Sequence, residues 1–158
     1  MDAGTLLYSL LSQSPAVQAL CGGRVFPVRV PQGQAMPAVV YQLISQIPQQ
    51  YILNQRSYDL ARVQISIFAD SYPTIAPLAA AVRAVLDGYR QDDIISMVLD
   101  LETDHFEDGA DRYHRTQDYR LNLPAPGVTP PAPVAPPIIS NLSVTVPPII
   151  SNLSVTAP

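Results

Sequence analysis

The chain predicts an α+β fold: a mostly antiparallel sheet of about five strands, helices packed on one face, and an extended Pro-rich C-terminal arm. Three observations carry this. Residues 60 to 69 alternate, with Ala61, Val63, Ile65, Ile67 and Ala69 on one face and Arg62, Gln64 and Ser66 on the other. Ile75, Leu78, Ala79, Val82, Val85, Leu86 and Tyr89 fall at helical spacing. All nine Arg and all 13 Asp and Glu precede Pro124, while residues 124 to 158 hold ten of the 17 Pro.

The elements follow in order. Ala3, Leu6, Leu7, Leu10 and Leu11 define a first helix, with Asp2 placed to cap it. Ser14 and Pro15 start a second helix carrying Val17, Ala19, Leu20 and Cys21, and Gly22-Gly23 stops it. Arg24 to Val30 reads as a short edge strand broken by Pro27. After a loop from Pro31 to Met36, Ala38 to Ile47 reads as a central strand, apolar on both faces. Gln46 to Tyr58 is polar and reads as a long hairpin or an extended loop. Asp70 to Pro73 signals a helix start, with regular helix from Thr74, where Pro77 still falls in the first turn, to Gly88.

Parity constrains the last hairpin. Ile95, Met97, Leu99 and Leu101 share one face, as do Tyr113, Tyr119, Leu121 and Leu123. Cross-strand partners share a face, so paired numbers must sum to an even value. A three-residue loop, Asp108 to Ala110, or a five-residue one satisfies this and pairs Leu99 with Tyr119. Consecutive strands are close enough for antiparallel pairing.

Residues 1–123 therefore form one domain, 124–137 a Pro-rich linker, and 138–158 an extended arm. There is no Lys and the net charge is −4, which argues against an electrostatic nucleic-acid binder. The longest apolar run falls short of the roughly 20 residues of a membrane span. An acid stands where an export signal needs a basic region, so none is expected. The single Cys21 reads as a small buried hydrophobe.

Residues 100 to 118 hold Asp100, Glu102 and Asp104 on alternate positions, with His105 and His114. A divalent-ion site is one reading. The better one is a solvated outer face, its carboxylates opposite Arg112, His114 and Arg120, with Asp104 paired to His114. Phosphate-loop, nucleophile-elbow and dinucleotide patterns are absent from the sequence. No catalytic residue and no cofactor are expected, and the chain is not read as an enzyme.

Two blocks then resemble a known family. LLYSLLSQSPAVQALCGGRVFPVRVPQGQAMPAVVYQLIS and FADSYPTIAPLAAAVRAVLDGYR, with the final hairpin, cover roughly residues 3 to 123. In order and spacing they resemble tail terminator, or tail completion, proteins of long-tailed bacteriophages. The resemblance implies a structural virion protein at the head–tail interface. Such a protein forms a homo-oligomeric, hexameric ring on the tail tube protein, stops tube polymerisation and presents a surface to the head–tail connector. It is assembled in the bacterial host cytoplasm, and DNA passes through it without specific binding. A head-side connector, or an adaptor acting through the C-terminal repeats, is the alternative.

Within that frame, Gln49, Gln50, Tyr51, Ile52, Leu53, Asn54 and Arg56 are expected to contact a neighbouring ring, the alternative being a surface loop. Asp100, Glu102 and Asp104 are expected on an outer or lumen face, where acidic groups let phosphate slide. The arm writes one eleven-residue unit twice, PPIISNLSVTV then PPIISNLSVTA. Ile138, Leu142 and Val144, and then Ile149, Leu153 and Val155, fall at strand-like positions. A lone strand leaves its backbone unpaired, so each repeat is expected to add to an exposed sheet edge of a neighbouring subunit or tail protein.

Overall fold

The computed structural model describes the backbone of residues 3–51, 55–91 and 94–124, and the side chains of these except 50, 51 and 55–57. The elements are α1 (Ala3–Gln13), α2 (Pro15–Cys21), β1 (Val25–Pro27), β2 (Ala38–Tyr51), β3 (Gln55–Ala69), α3 (Tyr72–Leu86), β4 (Ser96–Glu107) and β5 (Arg112–Pro124). The five strands form one sheet in the order β1-β2-β3-β5-β4. Its fold class is the α+β class read from the sequence, with the three helices on one face.

The helix signals act as expected. The Ser14 hydroxyl accepts from the Val17 N–H, and Pro15 occupies the first turn of α2. Gly22 closes α2 at φ 57°, its N–H donating to the Gln18 carbonyl at 2.8 Å. Only a residue without Cβ adopts that geometry cheaply. Leu7, Leu11, Val17 and Cys21 are fully buried against the sheet. The Asp2 cap lies outside the described residues. On α3, Ile75, Leu78, Ala79, Val82 and Leu86 form the buried stripe. This helix starts at Tyr72, earlier than expected, so Pro77 lies inside it.

β3 is the spine. Ala61, Val63, Ile65, Ile67 and Ala69 are all fully buried under the helices, as the alternation requires. Burial of each larger apolar side chain contributes about 1.5–3 kcal/mol. The antiparallel β2–β3 ladder runs from Ala38↔Phe68 to Tyr51↔Gln55.

Several expectations are corrected. β1 spans three residues rather than Arg24 to Val30, because Val28 turns to φ 63° and leaves the extended region. β1 also pairs parallel to β2, not antiparallel. Residues 28–37 carry the chain back to the level at which β1 began, and β2 sets off in the same direction. In the final hairpin, Leu99↔Tyr119 and Met97↔Leu121 pair as parity demanded, but the loop has four residues, Asp108–Asp111. A bulge at Asp100 absorbs one residue, so beyond it the partners are Leu101↔Asp118, Asp104↔Arg115 and His105↔His114. Asp104 therefore does not pair with His114. Ile95 is exposed just before β4, and Ile94 takes the core position.

Candidate assembly surfaces

The bulge at Asp100 exchanges the faces of β4. Before it, Met97 and Leu99 point to the helices with Tyr119 and Leu121. After it, Glu102 and Asp104 lie opposite Gln117 and Arg115, on the helix face. Leu101 is left on the uncovered face, 52% exposed. Asp100, Glu102 and Asp104 thus do not share a face: Asp100 ion-pairs with Arg120 at 3.1 Å on the uncovered side, and the other two carboxylates do not join it.

Glu102 and Asp104 enter a polar brace at the start of α3. The Arg115 guanidinium grips Asp104 through Nε and Nη2, reaches Glu102 through Nη1 at 3.0 Å, and donates to the Tyr72 hydroxyl at 3.2 Å. The Tyr72 hydroxyl donates in turn to Asp104 Oδ2 at 2.9 Å. Deeper in, Gln117 donates to the Ala79 carbonyl at 3.0 Å and to Glu102 at 3.2 Å, and accepts from the buried Tyr119 hydroxyl at 2.9 Å. The Arg115 hydrogen bonds, assisted by Tyr72 and opposed by partial burial, hold the Asp104 carboxyl below the usual carboxylate range. Burial pushes the Tyr119 phenol up, with the Asp87 and Glu102 charges adding to it. Every group here already has a partner, so the brace fixes the β4–β5 hairpin against α3. Nothing in the sequence pattern marked Tyr72, Arg115 and Gln117, since their partnership requires the face exchange at Asp100.

The uncovered face has its own network. Asp118 accepts from Arg62 Nη2 at 2.8 Å and from Gln64 Nε2 at 2.9 Å. Toward the Asp108–Asp111 turn, the Phe68 ring stacks on His114 at 4.3 Å between centroids. The His114 Nδ1 lies 3.7 Å from Glu107, His105 is adjacent, and burial lowers the His114 pKa. Val28, Val30 and Met36 of the β1–β2 loop line a cavity over Val40 and Phe68, closing this end of the face. Among the described residues no three His, Cys, Asp or Glu side chains converge to hold a metal ion. No helix among them is long and apolar enough to cross a membrane.

At the other end, β2 and β3 run on as a two-stranded arm. The last β5 contact is Tyr58↔Pro124, whereas β2 and β3 continue through Gln50↔Arg56 to Tyr51↔Gln55. The polar stretch is thus a hairpin rather than a loop. Gln49 lies opposite Tyr58. Gln50, Tyr51 and Arg56 belong to the paired strands, and Ile52, Leu53 and Asn54 lie outside the described residues. So do Ile138, Leu142, Val144, Ile149, Leu153 and Val155 of the repeat arm. The sequence reading passed over Leu43, Ile44 and Ile47 as interaction candidates. They are 41%, 47% and 53% exposed along β2.

Residues 5–122 match the model of the family described as Tail completion protein gp17. The chain belongs to that family. It is a structural tail protein of a phage virion. Among solved structures, this tail completion protein is similar in fold to a chain described as "Virion of native gene transfer agent (GTA) particle". The TM-score is 0.61 and the identity 18%, over 75% of this chain and 91% of that one. No curated protein sequence matches the chain.

Proposed function

We propose that the protein forms a homo-oligomeric ring, of six copies, on the last ring of the tail tube, stops tube polymerisation and presents a surface for the head's connector. Residues 1–123 carry this activity, 124–137 act as a linker and 138–158 as an accessory arm. Catalysis has no part in it. The protein sits at the head–tail interface and is assembled in the host cytoplasm.

The observation that carries the reading is the β2–β3 arm, with Gln49, Gln50, Tyr51 and Arg56 in its paired strands and Ile52 to Asn54 between them. It extends beyond the last β3–β5 pair on a body whose brace holds the opposite end. A closed ring requires a heterologous contact, in which one patch meets a different patch on the next copy. An arm and a partly uncovered sheet face provide two such patches. The excess of acidic over basic groups suits a passage through which DNA slides without specific binding.

The test is an early stop codon in this gene in the producing phage, with the lysate imaged by negative-stain electron microscopy. Overlong tails unattached to heads are expected. Normal-length tails beside DNA-filled heads would move the role to the head side, and normal infectious virions would remove it.

A further inference from the structure

β1 is only three residues long, so β2 becomes the outer strand of the sheet from Gln42 onward. The sheet's two edges differ in kind. That of β4 is already engaged: Gly88 N–H donates to the Met97 carbonyl at 2.9 Å, Met97 N–H to the Tyr89 carbonyl at 3.1 Å, and Leu99 N–H to Asp87 Oδ1 at 3.1 Å. Beyond these come the bulge at Asp100 and the acidic Glu102, Asp104 and Glu107. Bulges and charges are the devices that keep an edge from pairing.

The β2 edge has one bulge, at Ile44, and Pro48 beyond it, but no charge. The Val39 N–H donates to the Arg24 carbonyl, and the Tyr41 carbonyl accepts from the Val28 N–H, so these two residues turn their polar groups toward β1. By alternation Leu43 turns its N–H and C=O the same way, one step beyond the end of β1. No strand among the described residues pairs there. From Gln42 to Ile47 there is no charged side chain. Leu43, Ile44 and Ile47 are exposed, a bulge lies at Ile44, and Pro48 ends the run of donors. Beside it, Tyr8, Val28 and Leu43 line an open cavity of about 400 Å³.

We propose that the β2 edge, Gln42 to Ile47, receives one IISNLSVT repeat, Ile138–Thr145 or Ile149–Thr156, from a second copy of this chain as an added strand. The repeat matches the edge in chemistry: it has no charge, alternates apolar side chains, and is bounded by Pro-Pro at 136–137 and 147–148, which limits the ladder to about the length available. Reach selects the second copy. The chain leaves the described sheet at Pro124, opposite Tyr58 and in the row of Gln49. A strand added outside its own β2 would lie three strand spacings away, about 14 Å. Residues 125–137 include six prolines, and a Pro-rich linker of that length reaches about 40 Å. Such a linker overshoots its own edge and matches a neighbouring body, which at this domain size is about 35 Å across.

The proposal requires copies of the chain to meet, not that they cap a tube, so its outcome is separable from the stop-codon result. Two full-length variants, Ser45→Cys and Ser143→Cys, are isotopically distinguished, mixed, allowed to assemble and treated with a short bismaleimide. The native Cys21 is buried and does not compete. A cross-link joining the two variants is expected, and it is lost when Leu142 and Leu153 are both replaced by Asp. A chain carrying both cysteines that cross-links only within itself overturns the proposal, as does assembled protein in which neither Ser143→Cys nor the equivalent Ser154→Cys of the second repeat forms a cross-link to Ser45→Cys.

Discussion

Arg115 on β5 holds Asp104 on β4 through two parallel hydrogen bonds, and the Tyr72 hydroxyl closes the third side. The lowered Asp104 pKa sets a direction for pH dependence. The stabilisation is fully present above the ordinary carboxylate value of 3.8 and is lost as pH falls through the lower folded value. The Asp104 side chain is 42% exposed, so solvent screening limits the contribution to about 1 kcal/mol. Asp104→Asn is expected to lower the urea midpoint at pH 6 and to converge with the parent protein only once pH has fallen below the lowered folded pKa, where the parent carboxyl is protonated as well.

His114 predicts a second pH effect in a different window. Burial lowers its folded pKa from 6.5, opposed by the nearby Glu107 and reinforced by His105. Its stabilisation is present above 6.5 and falls as pH drops from there to the lowered folded value. Melting temperatures at pH 7.5 and 5.5 should differ for the parent protein, and differ less for His114→Phe.

Deleting Asp100 tests the bulge itself. With that residue gone, Leu99↔Tyr119 is followed directly by Leu101↔Asp118, Glu102↔Gln117 and Asp104↔Arg115, so the later residues keep their faces and Arg115 and Gln117 keep their partners. The deletion should lower the unfolding midpoint little more than Asp100→Ala, which removes only the surface pair with Arg120. A much larger loss would show that the extra residue is needed for the brace to form.

Ile65→Ala removes a fully buried side chain from the central strand under the helices. The expected cost is about 2–5 kcal/mol, read from chemical denaturation. Gly22→Ala should cost about 1–2 kcal/mol, because φ 57° is strained for a residue with Cβ and that Cβ would stand 2.9 Å from the Arg24 guanidinium.

The sequence reads most clearly where one local rule acts alone. β3 alternates without interruption, and α2 is bracketed by Ser14 and Gly22, so both are legible. β2 beyond Ile47 is not, because its partner strand, not an apolar stripe, keeps it extended. The parallel β1–β2 pair is hidden because the return path depends on Val28 leaving the extended region. Parity found Leu99↔Tyr119 yet missed the four-residue turn, since a one-residue bulge moves every later position to the other face. The Arg115 brace was lost with it. The acidic residues were visible as a group, but which side each faces is decided by that one position.

The hairpin arm and the exit of the chain at Pro124 lie at one end of the sheet, and the Asp108–Asp111 turn lies at the other. The first end is nearly uncharged, with Arg56 as the lone ion in the arm; the second carries Glu107, Asp108 and Asp111. Any array that sets copies of this molecule side by side in one orientation therefore acquires two unlike rims. It has a front and a back, and can hold different company at each without needing a second gene product to tell them apart.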